Sequence, residues 1–233
     1  KLASYGTLMV SLAGGEPLLR HDMPEIVEAI GRYHFPFITT NGWLATRNVA
    51  EDLMRAGLWG VSVSIDYADP DRHNQRRGMD GAWQQAWKAV ELFSAARKHR
   101  FQRVNVIAVL MDDNLDQLES LIQMAAERDA FFMVQPYGYR KTGVRAFEHN
   151  DGAVSPTLLK LRRKYRNFLS NPYYLERFDR FLDEGIPDCR AGRAFFNIDS
   201  TGDIAICVEH KDRPIANLYR DHAGYIHRKL WAA

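Results

Sequence analysis

Residues 11–18 have the sequence Ser-Leu-Ala-Gly-Gly-Glu-Pro-Leu and close an apolar run that begins at Thr7. The run predicts a buried strand. Because the two glycines after it carry no Cβ, a ligand can come close to the backbone there. Pro17 suits the first position of a helix, where a backbone N–H has no partner to lose. The stretch therefore predicts either a tight turn between strand and helix or a ligand cradle at the strand's end.

Length and composition predict one main domain with a full hydrophobic core. The chain has 233 residues, of which 46% are hydrophobic, and α/β barrels of this length are commonly one domain. Its 31 Lys and Arg residues nearly balance 29 Asp and Glu residues, and the net charge is +2. This charge gives no electrostatic reason to expect a nucleic-acid partner.

The distribution of apolar residues argues against a membrane protein. The longest apolar run, near residues 104–111, is far shorter than the roughly twenty residues that span a bilayer. Residues 1–6 also lack the ordered charged and apolar regions of a signal peptide. We therefore expect no membrane partner and a cytoplasmic location.

Strand-like runs alternate with amphipathic helical patterns along residues 1–140. Helices are expected to follow Thr46 and Asn114 as N-caps, and the predicted strands cover residues 7–13, 35–39, 61–66, 104–110 and 131–134. This alternation predicts right-handed βαβ units and a parallel sheet, either as a barrel or as a doubly wound sheet. Both architectures bind ligands at the carboxyl ends of their strands.

Polar residues follow four of these predicted strands. Taken singly, each is explained by a common turn or a helix cap. Because parallel strands end at one edge of a sheet, together they predict a site for a small polar molecule. The four segments are Gly14-Gly15-Glu16-Pro17, Thr39-Thr40-Asn41-Gly42, Ser64-Ile65-Asp66 and Gln135-Pro136-Tyr137.

The order of these motifs resembles that of the radical S-adenosylmethionine (radical SAM) enzymes. The Gly-Gly-Glu-Pro stretch, the Thr-Asn-Gly turn and the strand that ends in Ser64 and Asp66 carry the likeness, which covers residues 1–140. It implies an α/β fold with a partial (βα)6 TIM-like barrel. It also implies reductive cleavage of S-adenosylmethionine, abstraction of a hydrogen atom from a peptide or small-molecule substrate, and an electron donor such as flavodoxin or ferredoxin.

The resemblance also implies which residues contact the cofactor. The backbone of residues 14–17 would accept hydrogen bonds from the methionine ammonium. Arg77 would pair with the methionine carboxylate, because a guanidinium is always charged and donates in a fork; Arg76 is an equal candidate. The remaining expected contacts are Thr40, Asn41, Ser64, Asp66 and Gln135, with Tyr137, Tyr139 and Arg140 as candidate substrate contacts.

The cysteines depart from the family's pattern. Radical SAM enzymes hold a four-iron four-sulfur cluster on three closely spaced cysteines, whereas the first cysteine of this chain is Cys189. We expect the first strand and the cysteine loop to lie upstream of Lys1, and the alternative is a protein that has lost its cluster. On either interpretation the chain as given is expected to be inactive.

The carboxyl-terminal part is expected to form a small α+β extension with a β-hairpin around Gly202. The spacing of Cys189 and Cys207, followed by Pro214-Ile215-Ala216-Asn217-Leu218, resembles a SPASM or twitch extension. It implies that both cysteines ligate an auxiliary iron-sulfur cluster; a disulfide or buried free thiols are the alternatives. The predicted organisation is a barrel over residues 1–150, a helical linker over 151–187 and the truncated extension over 188–233.

Two other functions stay open at this stage. One is a non-catalytic binding or scaffold protein with the same fold. The other is a barrel lyase or aldolase, which is disfavoured because no Lys follows a predicted strand and no His or carboxylate cluster has metal-ligand spacing.

Overall fold

The structure is a computed structural model that describes residues 1–149, 152–183 and 189–232. Its main sheet has five strands in sequential order, and all four pairings are parallel. This confirms the predicted α/β class with a parallel sheet. The strands are β1 Met9–Leu12, β2 Phe35–Thr40, β3 Gly60–Ser64, β4 Arg103–Leu110 and β5 Phe131–Pro136.

Helices connect the strands of the main sheet and continue after the last of them. The helices of the described residues are α1 Met23–Gly31, α2 Arg47–Arg55, α3 Pro70–Arg77, α4 Ala82–Ala96, α5 Leu118–Glu127, α6 Tyr139–Thr142, α7 Ser155–Lys164, α8 Pro172–Leu175, α9 Phe178–Asp183 and α10 Ala223–Ala232. Among these residues, no helix combines the length and the apolar character that crossing a membrane would require.

The two predicted helix caps have different outcomes. Thr46 caps α2, since its hydroxyl accepts the Val49 N–H at 3.2 Å. Asn114 was expected to cap the next helix, and this is wrong: its side chain makes no capping bond, and a 3-10 turn over Leu115–Gln117 comes before α5. Instead, the Asn114 side chain is buried and forms hydrogen bonds with Asp66, Val109 and Met111.

The two faces of the main sheet have different chemistry. The face under the helices is aliphatic, and Ile38, Val61, Val63 and Val106 are fully buried there. Because side chains alternate along a strand, the register that pairs Thr39 with Ser62 and Ser62 with Asn105 places polar residues on the other face. Its polar positions include Thr39, Ser62, Ser64, Asn105 and Gln135, among apolar ones such as Ile107 and Met133.

A glycine shapes the amino-terminal end of this polar face. A Cβ on Gly60 would lie 2.6 Å from a ring carbon of Phe37, so a larger residue would displace that ring. The Phe37 ring lies over Gly60 and packs 6.1 Å from the ring of Trp59, centroid to centroid. Aromatic side chains therefore close this end of the sheet, and the polar end is the carboxyl one.

Residues 152–183, predicted to be a helical linker, pack on the main sheet. Leu158, Phe168 and Phe178 belong to the same hydrophobic core as the strands. Phe168 bridges Phe132 in the parallel direction, beside β5. The predicted domain boundaries at 150/151 and 187/188 lie outside the described residues, so the division into domains stays a prediction.

A three-stranded antiparallel sheet follows, and it confirms the predicted hairpin around Gly202. Its strands are β6 Asn197–Ile198, β7 Asp203–Ala205 and β8 Ala216–Asn217. They pack with α10 around a small core of Ile204, Ile226 and Leu230. Tyr5, in the 3-10 turn Leu2–Tyr5, packs against this core, so the two ends of the chain meet.

Candidate functional site

The Glu16 carboxylate joins the first two predicted motifs at the carboxyl edge of the sheet. Its Oε1 accepts the Thr40 hydroxyl at 2.7 Å, and its Oε2 accepts the Asn41 N–H at 2.8 Å. The same side chain accepts the Leu18 N–H at 3.0 Å and so caps the 3-10 turn that Pro17 begins. Glu16 therefore links the loop after β1 to the loop after β2.

The paired glycines leave an open stretch of backbone before this link. Gly14 has a φ of +137°, which residues with a Cβ rarely adopt. A Cβ on Gly14 or Gly15 would meet no atom within 4 Å, and both residues are exposed. Their carbonyl and amide groups are thus accessible at the edge where Thr40 and Asn41 lie.

Asp66 has a partner at each of its polar atoms. Its N–H donates to His73 Nδ1 at 3.3 Å, and its carbonyl accepts the Asn114 amide at 2.9 Å. Its Oδ1 accepts the Val109 N–H at 2.9 Å, and its Oδ2 accepts Arg77 Nη2 at 2.6 Å. With 4% of its surface exposed, Asp66 connects the loop after β3 with β4 and α3.

Arg76 is engaged away from Asp66. Its guanidinium lies 3.1 Å from Asp113 and 3.7 Å from Asp112, and its Nε donates to the Tyr67 hydroxyl at 3.0 Å. Its Cζ lies 4.0 Å from the centroid of the Phe147 ring. Burial raises the pKa of Tyr67, and the hydrogen bond to Asp113 raises it further. Two carboxylates, a hydroxyl and a ring thus occupy Arg76.

Arg77 contacts one acceptor among the described residues, the Asp66 carboxylate. The side chain of Arg77 is 32% exposed and that of Asp66 is 6% exposed. Arg77 is also the last residue of α3, and Gly78 ends that helix in a left-handed conformation. The guanidinium of Arg77 therefore lies at the carboxyl edge of the sheet with donors that no described residue uses.

Sequence reasoning assigned no role to His73 and expected Asn114 only to cap a helix, yet both side chains hold this loop. His73 is 1% exposed, and burial, followed by the charge of Arg77, lowers its pKa to about 4, while Asp66 acts in the opposite direction. The neutral ring can therefore accept the Asp66 N–H. His73 follows the N-cap Asp69 by four residues. Residues four apart lie on the same side of a helix, so the sequence could have placed His73 on the same side as Asp69.

The other predicted contacts occupy the same edge. Ser64 ends β3, and Gln135 pairs with Val109 in the register of β4 and β5. Both are half-buried, and within the described part of the chain no hydrogen bond involves either side chain. Tyr137 differs, because its hydroxyl bonds to Thr142 and to the Val144 carbonyl. The side chain of Arg140 lies outside the described residues.

The two cysteines are free thiols and form no disulfide; Cys189 is exposed and Cys207 is half-buried. Two residues after Cys207, Glu209 Oε1 lies 3.0 Å from where a Cβ on Gly138 would be. The turn Val208–His210 thus contacts the loop that follows β5. The carboxyl-terminal sheet therefore reaches the carboxyl edge of the main sheet.

A model of the Radical SAM superfamily matches residues 1–125 of the chain. The chain belongs to the radical SAM superfamily. This radical SAM chain is 33% identical over 144 residues to an AdoMet-dependent heme synthase of Methanosarcina barkeri (strain Fusaro / DSM 804), a match that covers 58% of the chain and 39% of the relative. The chain thus spans well under half the length of that curated relative.

Solved structures support the same fold. SuiB of Streptococcus suis bound to the precursor peptide SuiA has a TM-score of 0.71 at 18% identity, covering 94% of this chain and 53% of SuiB. The enzyme anSMEcpe with bound AdoMet has a TM-score of 0.67 at 16% identity, covering 99% of this chain and 70% of its own. The radical SAM chain shares the architecture of both.

The radical SAM family binds S-adenosylmethionine and a four-iron cluster. The residues of this chain fit the first of these groups. Open backbone at the paired glycines, the unused polar groups of Ser64 and Gln135, and the spare donors of Arg77 match a ligand with an amino acid end and a ribose. A four-iron cluster takes four thiolates in most proteins, and the chain has two cysteines. Among the described residues, no three His, Cys, Asp or Glu side chains are grouped to hold a metal.

Proposed function

We propose that the carboxyl edge of the main sheet binds S-adenosylmethionine. The observation that carries the proposal is the guanidinium of Arg77, held by Asp66 at 2.6 Å; the open backbone of Gly14 and Gly15 follows another strand of the same sheet. Arg77 would bind the methionine carboxylate, because it contacts one acceptor among the described residues, whereas Arg76 contacts Asp112, Asp113 and the Tyr67 hydroxyl.

The other residues of the edge would bind the rest of the molecule. Carbonyl groups of residues 14–16 would accept from the methionine ammonium, Pro17 would set the course of the chain after them, and Ser64 and Gln135 would meet the ribose. Thr40 and Asn41, whose hydroxyl and N–H are bound by Glu16, would shape this part of the site. When bound, S-adenosylmethionine supplies the group that abstracts a hydrogen atom after reductive cleavage.

A peptide is the proposed class of substrate. SuiB was solved with its precursor peptide SuiA, and anSMEcpe was solved with AdoMet and the Cp18Cys peptide; both share this fold. An electron donor such as flavodoxin or ferredoxin, and an auxiliary cluster on Cys189 and Cys207, belong to the same proposal.

Binding is tested by titrating the chain with S-adenosylmethionine in a calorimeter. Arg77→Gln is expected to weaken binding about tenfold or more, since a hydrogen bond to a charged group is lost. Arg55→Gln removes another exposed arginine that pairs with Asp52, and it should leave the affinity unchanged. Equal losses in both variants, or no binding by the unaltered chain, would reject the proposal.

A protein that binds S-adenosylmethionine without cleaving it is a second candidate. It corresponds to the alternative in which the protein has lost the reducing cluster, which the family holds on three thiolates. We expect the chain, after anaerobic reconstitution with iron and sulfide and reduction by dithionite, to release no 5′-deoxyadenosine. Release of that product, followed by mass spectrometry, would show that the chain is active by itself.

A further inference from the structure

The carboxylate of Asp66 is already used within the protein. Oδ1 accepts from the Val109 N–H and Oδ2 accepts from Arg77. The backbone of Asp66 is held as well, by His73 on one side and by Asn114 on the other. Since the residue is 4% exposed, its carboxylate has no freedom to turn toward a ligand.

Asn114 explains why this arrangement is rigid. Its amide donates to the carbonyls of Asp66 and Val109 at 2.9 and 2.8 Å. Its Oδ1 accepts the Met111 N–H at 2.8 Å. One buried side chain therefore locks the two backbone segments whose groups fix the Asp66 carboxylate, so the position of Oδ2 is set before any ligand arrives.

Arg77 has the complementary property. A guanidinium carries five N–H donors in a planar fork, and Asp66 takes the one on Nη2 that the structure assigns to it. The side chain is 32% exposed, so the remaining donors are accessible. A fork that is held in place beforehand loses less conformational entropy when it binds a carboxylate.

We propose that Asp66 is a positioning residue, which holds the Arg77 guanidinium in the orientation that binds the carboxylate of S-adenosylmethionine and does not itself contact the ligand. This inference rests on the function proposed above. The negative charge of Asp66 repels an approaching carboxylate from its own side of the guanidinium, so the ligand meets the opposite edge of the fork. Asp66 therefore determines both the orientation of Arg77 and the side from which it is approached.

The test compares two probes that differ in the amino acid part. S-adenosylhomocysteine carries the carboxylate and is unreactive, and adenosine has the ribose and base without it. Asp66→Asn keeps an oxygen for the Val109 N–H and removes the anchor of Arg77. This substitution is expected to lower the affinity for S-adenosylhomocysteine about tenfold and to leave the affinity for adenosine unchanged. The matched control is Asp71→Asn, which removes an exposed carboxylate of α3, the helix that carries Arg77. It should change the affinity for neither probe.

A double-variant cycle separates positioning from direct contact. In the Arg77→Gln background, Asp66→Asn is expected to cause no further loss, because its effect passes through Arg77. Additive losses, or an equal loss for adenosine, would overturn the inference and would assign Asp66 a direct contact with the ribose. If the unaltered chain binds neither probe, the proposed function is rejected, and this inference with it.

A second measurement needs no variant of Asp66. In a nitrogen-15 nuclear magnetic resonance spectrum, rotation of the Arg77 guanidinium is expected to be slowed, as for a guanidinium held by a carboxylate. The signal is assigned by its disappearance in Arg77→Gln. Rotation as fast as that of exposed, unpaired arginines such as Arg47 would overturn the inference even if Asp66→Asn did not fold.

Discussion

Glu16 accepts a hydrogen bond of 2.7 Å from the Thr40 hydroxyl, across the carboxyl ends of β1 and β2. Thr40 is 1% exposed, and its hydroxyl oxygen also accepts the Gly42 N–H at 3.0 Å. Two loops that the sequence presents as separate polar motifs are therefore one hydrogen-bonded unit. The Gly-Gly-Glu-Pro stretch is therefore a turn between strand and helix, and its use as a ligand cradle belongs to the proposed function.

The first prediction concerns this link. Glu16→Ala leaves the Thr40 hydroxyl and the Asn41 N–H without their acceptor, and it should lower the free energy of unfolding by about 2 kcal/mol. Urea unfolding followed by circular dichroism measures the change. Glu28→Ala, which removes a long exposed contact to Arg32, should cost less than about 0.5 kcal/mol. Similar losses for both variants would contradict the role of Glu16.

The second prediction separates backbone strain from crowding at two glycines. Gly42 and Gly57 have φ values of +82° and +95°, so Ala at either position should cost about 1–2 kcal/mol. At Gly42 a Cβ would also lie 3.0 Å from the Ala89 Cβ and 3.1 Å from the Ala86 Cα, whereas at Gly57 it would meet nothing within 4 Å.

Gly42→Ala should therefore destabilise the chain by about 1–3 kcal/mol more than Gly57→Ala does. The difference in urea midpoint between the two variants gives this excess directly. Equal midpoints would mean that α4 moves away from the turn at little cost, against the packing described above.

The third prediction concerns Asn114. Asn114→Ala removes the partner of two carbonyls and one N–H in buried surroundings, so we expect a loss of about 2–4 kcal/mol in the free energy of unfolding. Asn48→Ala, at an exposed position of α2, should change it by less than about 0.5 kcal/mol. A small effect of Asn114→Ala in chemical denaturation would show that water replaces its amide.

The fourth prediction is a pH dependence that His73 causes. Its pKa is lowered from 6.5 to about 4, chiefly by burial, so between these values the unfolded chain takes up a proton that the folded chain does not. Stability from this residue is present above pH 6.5 and is lost as the pH falls toward 4. The loss amounts to about 3 kcal/mol.

Comparison of the unaltered chain with His73→Asn measures this contribution. The difference between their free energies of unfolding should narrow as the pH falls from 7 to 4 in urea titrations. A constant difference for His73→Asn would mean that the buried ring is not kept neutral.

The sequence alone was sufficient for the class of fold. Strand and helix periodicity is local, so the parallel sheet, the cap at Thr46 and the hairpin around Gly202 followed from neighbouring residues. The error at Asn114 has the opposite cause. Its amide is satisfied by Asp66, in the loop after β3, and by Val109, in β4, and no helix-cap pattern predicts either contact.

Only the tertiary structure distinguished Arg76 from Arg77. Adjacent in sequence and identical in charge, they acquire different chemistry because one side chain meets Asp112 and Asp113 while the other meets Asp66. The sequence by itself determined that polar residues would gather at the carboxyl edge, because parallel strands end there. Which of them are occupied by the protein and which have donors to spare depends on contacts between distant segments, and these form only when the chain has folded.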